Sequence, residues 1–194
     1  MVSANFIPSS LPYSSIRAFK RREMLQPRES SLWQIETGAI RTFTLDQNGT
    51  IITLGFWGTG DIVGQALSRV QPYQVECLTD VTVRCLKPDQ FWQFESAYGW
   101  HINQVMLEHI HQMQELLRIR SGQIPQRLQQ FLEWMADKFG RHTEQGQLIE
   151  LWLTHQDIAD AIGTTRVTVT RLLNQFEQTG LINLSHQKYI LLCL

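Results

Sequence analysis

The chain has 194 residues, with 17 Lys and Arg against 18 Asp and Glu, a formal charge of -1 and 43% hydrophobic residues. That is apolar material for one or two packed domains, and near-neutrality excludes bulk charge as a means of attracting nucleic acid, so any such attraction must come from local cation placement. No apolar run approaches the roughly 18 residues that span a bilayer, and MVSANFIPSSLPYSSIRAFKRRE lacks the apolar core of a signal peptide, so a cytoplasmic chain without a membrane partner is expected.

From Leu32 to about Leu86, strand formers alternate with Gly and Asp/Asn turns: LWQIETGAIRTFTL, DQNG, TIITLGFW, GTGD. DQNG marks a hairpin. The run VECLTDVTVRCL places Val75, Cys77, Val81, Val83 and Cys85 on one inward face, which predicts a rolled antiparallel sheet with one buried side. Cys77, Cys85 and Cys193 are odd in number and widely spaced; they fit neither a disulfide framework nor a zinc knuckle and are read as buried thiols.

Gly99 to Arg120 follows a helical period, with Ile102, Met106, His109 and Ile110, Met113, and Leu116 and Leu117 every three or four positions. His109 and His111 diverge by about 200° on such a helix and cannot share one ion, so no metal site is expected. Ser121-Gly122 reads as a hinge. Pro125 then opens a helix carrying Leu128, Phe131, Leu132, Met135 and Phe139, which Gly140 ends.

The most informative stretch is LTHQDIADAIGTTRVTVTRLLNQFEQTGLI, Leu153 to Ile182. Thr154 can cap a helix beginning near His155, with Asp157 three residues on, and Ile158, Ala159 and Ile162 face inward. Gly163 supplies the positive φ that ends it. Thr164 or Thr165 caps a second helix, whose stripe of Val169, Leu172, Leu173 and Phe176 is buried on the first. Val167, Arg171, Asn174 and Gln178 lie opposite that stripe, Thr168 and Thr170 flank it, and Arg166 reaches out from the first turn. Such a face suits the major groove, where Arg donates two hydrogen bonds to guanine and Thr or Asn meets phosphate, adenine or a thymine methyl. LINLSHQKYILL then suggests a two-stranded wing that touches the DNA backbone through Ser185, His186 or Lys188.

The segment GTTRVTVTRLL resembles the recognition helix of the CRP/FNR regulator family, especially its cyanobacterial nitrogen-control, NtcA-type branch. LWQIETGAIRTFTLDQNGTIITLGFWGTGDIVG resembles the same family's β-roll, so the likeness runs in order through nearly all of the chain beyond Arg28. It implies an α+β fold: an N-terminal antiparallel β-roll, a cyclic-nucleotide-binding-like jelly roll, over residues 1–97; a long dimerisation helix over 98–120; and a C-terminal winged helix-turn-helix over 121–194.

By that resemblance Arg166 and Arg171 correspond to base-contacting arginines and Thr165 to a phosphate-contacting hydroxyl, while Thr154, His155 and Gln156 lie where the family touches the DNA backbone. Val167 departs from the catabolite-activator type, which has a glutamate accepting from cytosine; valine offers apolar contact alone, and the NtcA-type branch shares it. This implies a palindrome of GTA and TAC half-sites read by a homodimer paired through Ile102, Met106, Ile110, Met113 and Leu117, with RNA polymerase as a further partner.

In the β-roll, Gln65 follows Gly64 where cyclic-nucleotide binders have a ribose-binding glutamate, and ALSRVQPYQ has no Arg-Ser pair for a phosphate. Gly64 and Gln65 are the candidate effector residues, Arg69 is read as an exposed loop charge, and cyclic AMP is disfavoured because its phosphate would be buried uncompensated. No cysteine precedes Cys77, which disfavours the family's iron-sulfur sensor. The NtcA-type likeness would instead imply 2-oxoglutarate, and no resident cofactor is expected. Two rivals stand beside this reading. An enzyme built on the β-roll would want strand histidines, yet none occurs before His101; an interaction module without specific DNA readout is the alternative.

Overall fold

The computed structural model describes residues 15–25, 32–86, 95–184 and 189–193, with the backbone alone for 95–102. The chain forms two compact units that divide inside the long helix, between Met113 and Gln114.

The first unit is a β-roll of strands β1 (Ile16–Phe19), β2 (Met24–Leu25), β3 (Leu32–Thr37), β4 (Ile40–Leu45), β5 (Ile51–Trp57), β6 (Ile62–Val63), β7 (Gln74–Cys77) and β8 (Val81–Leu86). They make two four-stranded antiparallel sheets, ordered β1-β8-β3-β6 and β2-β7-β4-β5. The period-2 pattern explains the register: Val75, Cys77, Val81 and Val83 are buried with Trp33, Ile35, Ile40, Trp57 and Val63 in one cluster. At the DQNG turn, Asp46 Oδ1 accepts from the backbone N–H of Asn48 and of Thr50, both at 2.8 Å, closing the β4–β5 hairpin. These backbone donors, Thr50 first, hold the Asp46 carboxyl below its ordinary range.

Strands β1 and β2 lie upstream of the first strand legible in the sequence. β1 pairs with β8 from Ile16 opposite Arg84 to Phe19 opposite Val81. Its residues are mostly exposed, so no hydrophobic alternation marks it as a strand. The reading of three buried thiols also needs correction. Cys77 is buried, and its thiol is pushed up to about 12, first by burial and then by the neighbouring Glu23, Glu76 and Asp80. Cys85 is half-buried, at the point where the in-out alternation of β8 breaks, and Cys193 is exposed beyond the last strand.

Helix α1 (Glu95–Arg120) leaves the roll. Within the first unit two of its polar side chains complete the sheets. The Gln112 amide donates to Phe56 O at 2.7 Å and accepts from Phe56 N at 3.2 Å, and His109 Nε2 lies 2.9 Å from Ile62 O. Phe56 and Ile62 belong to β5 and β6, each the edge strand of its sheet, so the helix supplies hydrogen bonds that a missing strand would have made. His109 also packs its ring 4.2 Å from that of Trp57, whereas His111 is exposed.

The second unit holds the last turns of α1, then α2 (Ile124–Phe139), β9 (Gly140–Thr143), β10 (Gly146–Ile149), α3 (His155–Ile162), α4 (Arg166–Gln178), β11 (Ile182–Leu184) and β12 (Ile190–Leu192). Its sheet runs β11-β12-β10-β9. The wing is therefore half of a four-stranded antiparallel sheet, whose other hairpin, β9–β10, no sequence pattern marks. Gly146 makes that packing close: with φ of 134°, its Cα lies where a Cβ would collide with the Leu192 carbonyl of β12. The amphipathic α2 buries Leu128, Phe131, Leu132 and Met135 as its period predicts, while Phe139 is half-buried. The wing tip with Ser185, His186 and Lys188 lies outside the described residues.

Candidate nucleic-acid interface

The helix-turn-helix is built by local chemistry. Thr154 Oγ1 accepts from the Asp157 backbone N–H at 3.1 Å, while Asp157 Oδ2 accepts from Thr154 N at 2.8 Å and Thr154 Oγ1 at 2.7 Å. This reciprocal box starts α3 at His155, and Asp157 is buried with its Oδ2 accepting from both Thr154 groups. Gly163 takes φ 70°, ψ 54°, the left-handed cap that turns the chain into the second helix. Thr165, rather than Thr164, is the N-cap of α4, with Oγ1 accepting from Thr168 N at 3.2 Å and lying 2.9 Å from Thr168 Oγ1. Val169, Leu172, Leu173 and Phe176 are buried as one stripe, and Ile158, Ala159 and Ile162 of α3 are buried with them.

What remains outside is the opposite face of α4. Val167 is 78% exposed, and Arg166, Arg171, Asn174 and Gln178 are exposed. Arg118, Arg120, Arg127 and Arg141 of the same unit all spend their guanidinium groups inside it, on Glu115, on the Asp160 and Ala161 carbonyls, on the Gly122 and Ile162 carbonyls, and on Glu150 respectively. Arg166 and Arg171 make neither a hydrogen bond nor an ion pair through their side chains among the described residues. The two unspent guanidinium groups of this unit thus stand on the face that the helix period points outward.

Thr170 links the two helices. Its Oγ1 donates to Arg166 O at 3.0 Å and lies 2.7 Å from His155 Nδ1, so with the hydroxyl proton on the carbonyl, Nδ1–H is the donor and Nε2 is free to accept. Burial, and then the Arg166 charge, hold the His155 imidazole below its ordinary value, favouring the neutral ring. Gln156 is exposed and donates to Asp160 Oδ1 at 2.6 Å along α3.

The remaining sequence candidates lie elsewhere. Met106, Ile110, Met113 and Leu117, at i, i+4, i+7 and i+11 on α1, are all exposed, Leu117 by 71%. The Ile102 side chain lies outside the described residues. Gly64 precedes a single 3-10 turn (Gln65–Leu67), and the Gln65 amide donates to Ser68 O at 2.8 Å and Val70 O at 3.4 Å. That amide is tied to its own loop, and neither Gly64 nor Gln65 lines the cavity of the roll. Arg69 is exposed. The Ser121–Gly122 turn is present, but Arg120 on one side and Arg127 on the other both grip the carbonyl end of α3. Sequence period did not reveal these two arginines, because their partners lie 35 to 41 residues away.

Comparison with known proteins agrees with this geometry. Residues 126–193 match the Crp-like helix-turn-helix domain and residues 19–98 the cyclic nucleotide-binding domain. The regulatory protein CysR of Synechococcus elongatus is 36% identical over 166 residues, covering 84% of this chain and 77% of that protein. The global nitrogen regulator of the same organism is 48% identical over 64 residues, 33% of this chain and 28% of that protein. A CRP-family transcriptional regulator from Thermus thermophilus has the same fold, with a TM-score of 0.76 at 24% identity and 92% of each chain covered. A β-roll and a helix-turn-helix matched in this order, with a relative that aligns along most of its length, make the chain a member of the CRP/FNR family of transcriptional regulators, with a helix-turn-helix DNA-binding domain.

Proposed function

We propose that the chain works as a homodimer that reads a palindromic operator with GTA/TAC-type half-sites, and that the β-roll adjusts its affinity for DNA. The observation that carries this reading is the pair of unspent arginines on α4. In the major groove Arg166 and Arg171 donate to base edges, Val167 makes apolar contact where a glutamate would accept from cytosine, and Thr168 and Thr170 flank them. Thr165 and the start of α3, with Thr154, His155 and Gln156, meet the DNA backbone through side chains and free helix N–H groups.

The exposed stripe Met106, Ile110, Met113 and Leu117 supports pairing with a second copy. Four large apolar side chains at coiled-coil spacing are costly to leave in water and are covered when two helices pack along one seam. Two recognition helices about one turn of DNA apart then read two half-sites while a single association entropy is lost. The protein acts in the cytoplasm, with RNA polymerase as its partner at the promoter, and has no catalytic role.

Fluorescence anisotropy on a GTA/TAC palindrome and on scrambled duplex, over a range of salt, tests this. Specific binding at least about a thousandfold tighter than to scrambled DNA, with a steep negative slope in log affinity against log salt, is expected. Equal affinity for the two duplexes would defeat the operator assignment.

A further inference from the structure

The start of α3 carries a titratable side chain that the second helix holds in one arrangement. His155, the first residue of α3, is half-buried, and its Nδ1 lies 2.7 Å from Thr170 Oγ1 of α4. The Thr170 hydroxyl donates to Arg166 O at 3.0 Å, so the ring proton sits on Nδ1 and the lone pair of Nε2 is left outside this relay. Nε2 makes no hydrogen bond among the described residues. Burial, and then the charge of Arg166 facing the ring from α4, hold the ring toward its neutral form in the free chain. The carboxylates of its own helix are engaged elsewhere, Asp157 on the two Thr154 groups and Asp160 on the Gln156 amide.

A ring in that state is poorly matched to a phosphate. Phosphate oxygens only accept, so a neutral imidazole protonated on Nδ1 would turn one lone pair on another. A ring protonated on both nitrogens keeps its bond to Thr170, donates through Nε2–H and adds a positive charge, and charge-assisted bonds of this kind are roughly twice as strong as neutral ones. The phosphates also bring negative charge beside the ring, which favours the imidazolium and offsets the repulsion from Arg166.

We propose that His155 takes up a proton as the start of α3 meets the DNA backbone, with Nε2–H donating to a phosphate oxygen, so that binding tightens as pH falls. This rests on the proposed placement of Thr154, His155 and Gln156 on the backbone, but not on the operator sequence, since a phosphate contact reads no base. By linkage, a proton held more tightly in the complex than in the free chain strengthens binding. The gain is complete below the depressed value of the free chain and is lost as pH rises through the raised value in the complex.

The test is anisotropy on the GTA/TAC palindrome and on scrambled duplex across pH at fixed salt, with circular dichroism confirming that the full chain stays folded. The parent should bind each duplex about tenfold more tightly per subunit at about pH 6 than at about pH 8. Its His155 imidazole signals in a magnetic resonance titration should move to higher pH on DNA. His155→Asn keeps a donor for Thr170 and lacks the outer nitrogen, so its affinity should be level across this range although the other histidines remain. His155→Arg, a cation throughout, should bind tightly at either end. A pH dependence that persists in His155→Asn, or a His155 signal that titrates no higher on DNA than in the free chain, would overturn the proposal. So would parent binding that is level with pH yet tighter than that of His155→Asn, because the ring would then meet phosphate as its other neutral tautomer, with the Thr170 hydroxyl turned to Nδ1. Equal binding of the two duplexes, both with the expected pH dependence, defeats the operator assignment and leaves the proton uptake standing; a preference for the palindrome without pH dependence does the reverse.

Discussion

Arg120→Ala should loosen the helix-turn-helix from a site outside the exposed face of α4. Arg120 Nε donates to Ala161 O at 2.9 Å and its Nη2 to Asp160 O at 2.8 Å, and these carbonyls lie in the last turn of α3, where a helix has no N–H donors of its own to offer them. A hydrogen bond from a charged donor contributes about 1.5–3 kcal/mol, and the cation also sits favourably at the negative end of the helix dipole. The guanidinium is only half-buried, so water can reach the freed carbonyls, and the lower end of that range applies to each bond. The loss is then about 2–3 kcal/mol for the two bonds together, which lowers the urea midpoint of the DNA-binding unit by about 1 M. Amide hydrogen exchange in α3 should accelerate about 30- to 150-fold, while the β-roll amides stay as they were. Arg120→Lys, which keeps the charge but cannot span both carbonyls, should recover about half. A change below about 0.5 kcal/mol, or an equal acceleration in the β-roll, would refute the view that this clamp holds α3.

Arg171→Ala removes a side chain with no partner among the described residues, so its stability should stay within about 0.5 kcal/mol of the parent in urea melts. Its affinity for the palindrome should fall by about 1–3 kcal/mol, measured by anisotropy, and by much less on scrambled duplex. Val167→Glu should shift base preference toward cytosine at that step, which selection from a randomised half-site would reveal. Leu117→Glu should shift the sedimentation equilibrium toward monomer, because a charge in an apolar helix seam is left unpaired twice over. His155 gives a pH signature. Its folded-state value is below the ordinary 6.5, so as pH falls the unfolded chain binds the proton first. Its contribution to stability is therefore intact above about pH 6.5 and is lost as pH falls through the depressed value, a slope that His155→Gln should flatten in urea melts.

The helix-turn-helix was legible almost residue by residue because each of its devices is local. A capping threonine, an acid three residues on, a glycine at the turn and an apolar period of three to four all act within one or two turns of chain. The same period that buries Val169, Leu172, Leu173 and Phe176 turns Arg166, Val167 and Arg171 outward, so the outer face could be read before any tertiary contact was known. The hairpin at Asp46 was equally plain, since its carboxylate bonds to backbone two and four residues later. Strands β1, β9 and β10 were not, because they are short and partly exposed, and they exist through pairing, β1 with β8, β9 with β10 and β10 with β12, rather than through alternation of their own.

Local sequence thus determined the helices and turn of the helix-turn-helix and the hairpin at Asp46, which family the chain resembles and which arginines could face DNA, all properties carried by neighbours in the chain. Tertiary structure alone decided that Gln112 and His109 close the edges of the two sheets, that Arg120 and Arg127 grip the end of α3, and that Gln65 is held by its own loop. In the first two cases the partners lie 35 to 56 residues apart. No periodicity records such pairs; they are set by how the sheets roll and which carbonyls the fold leaves unpaired.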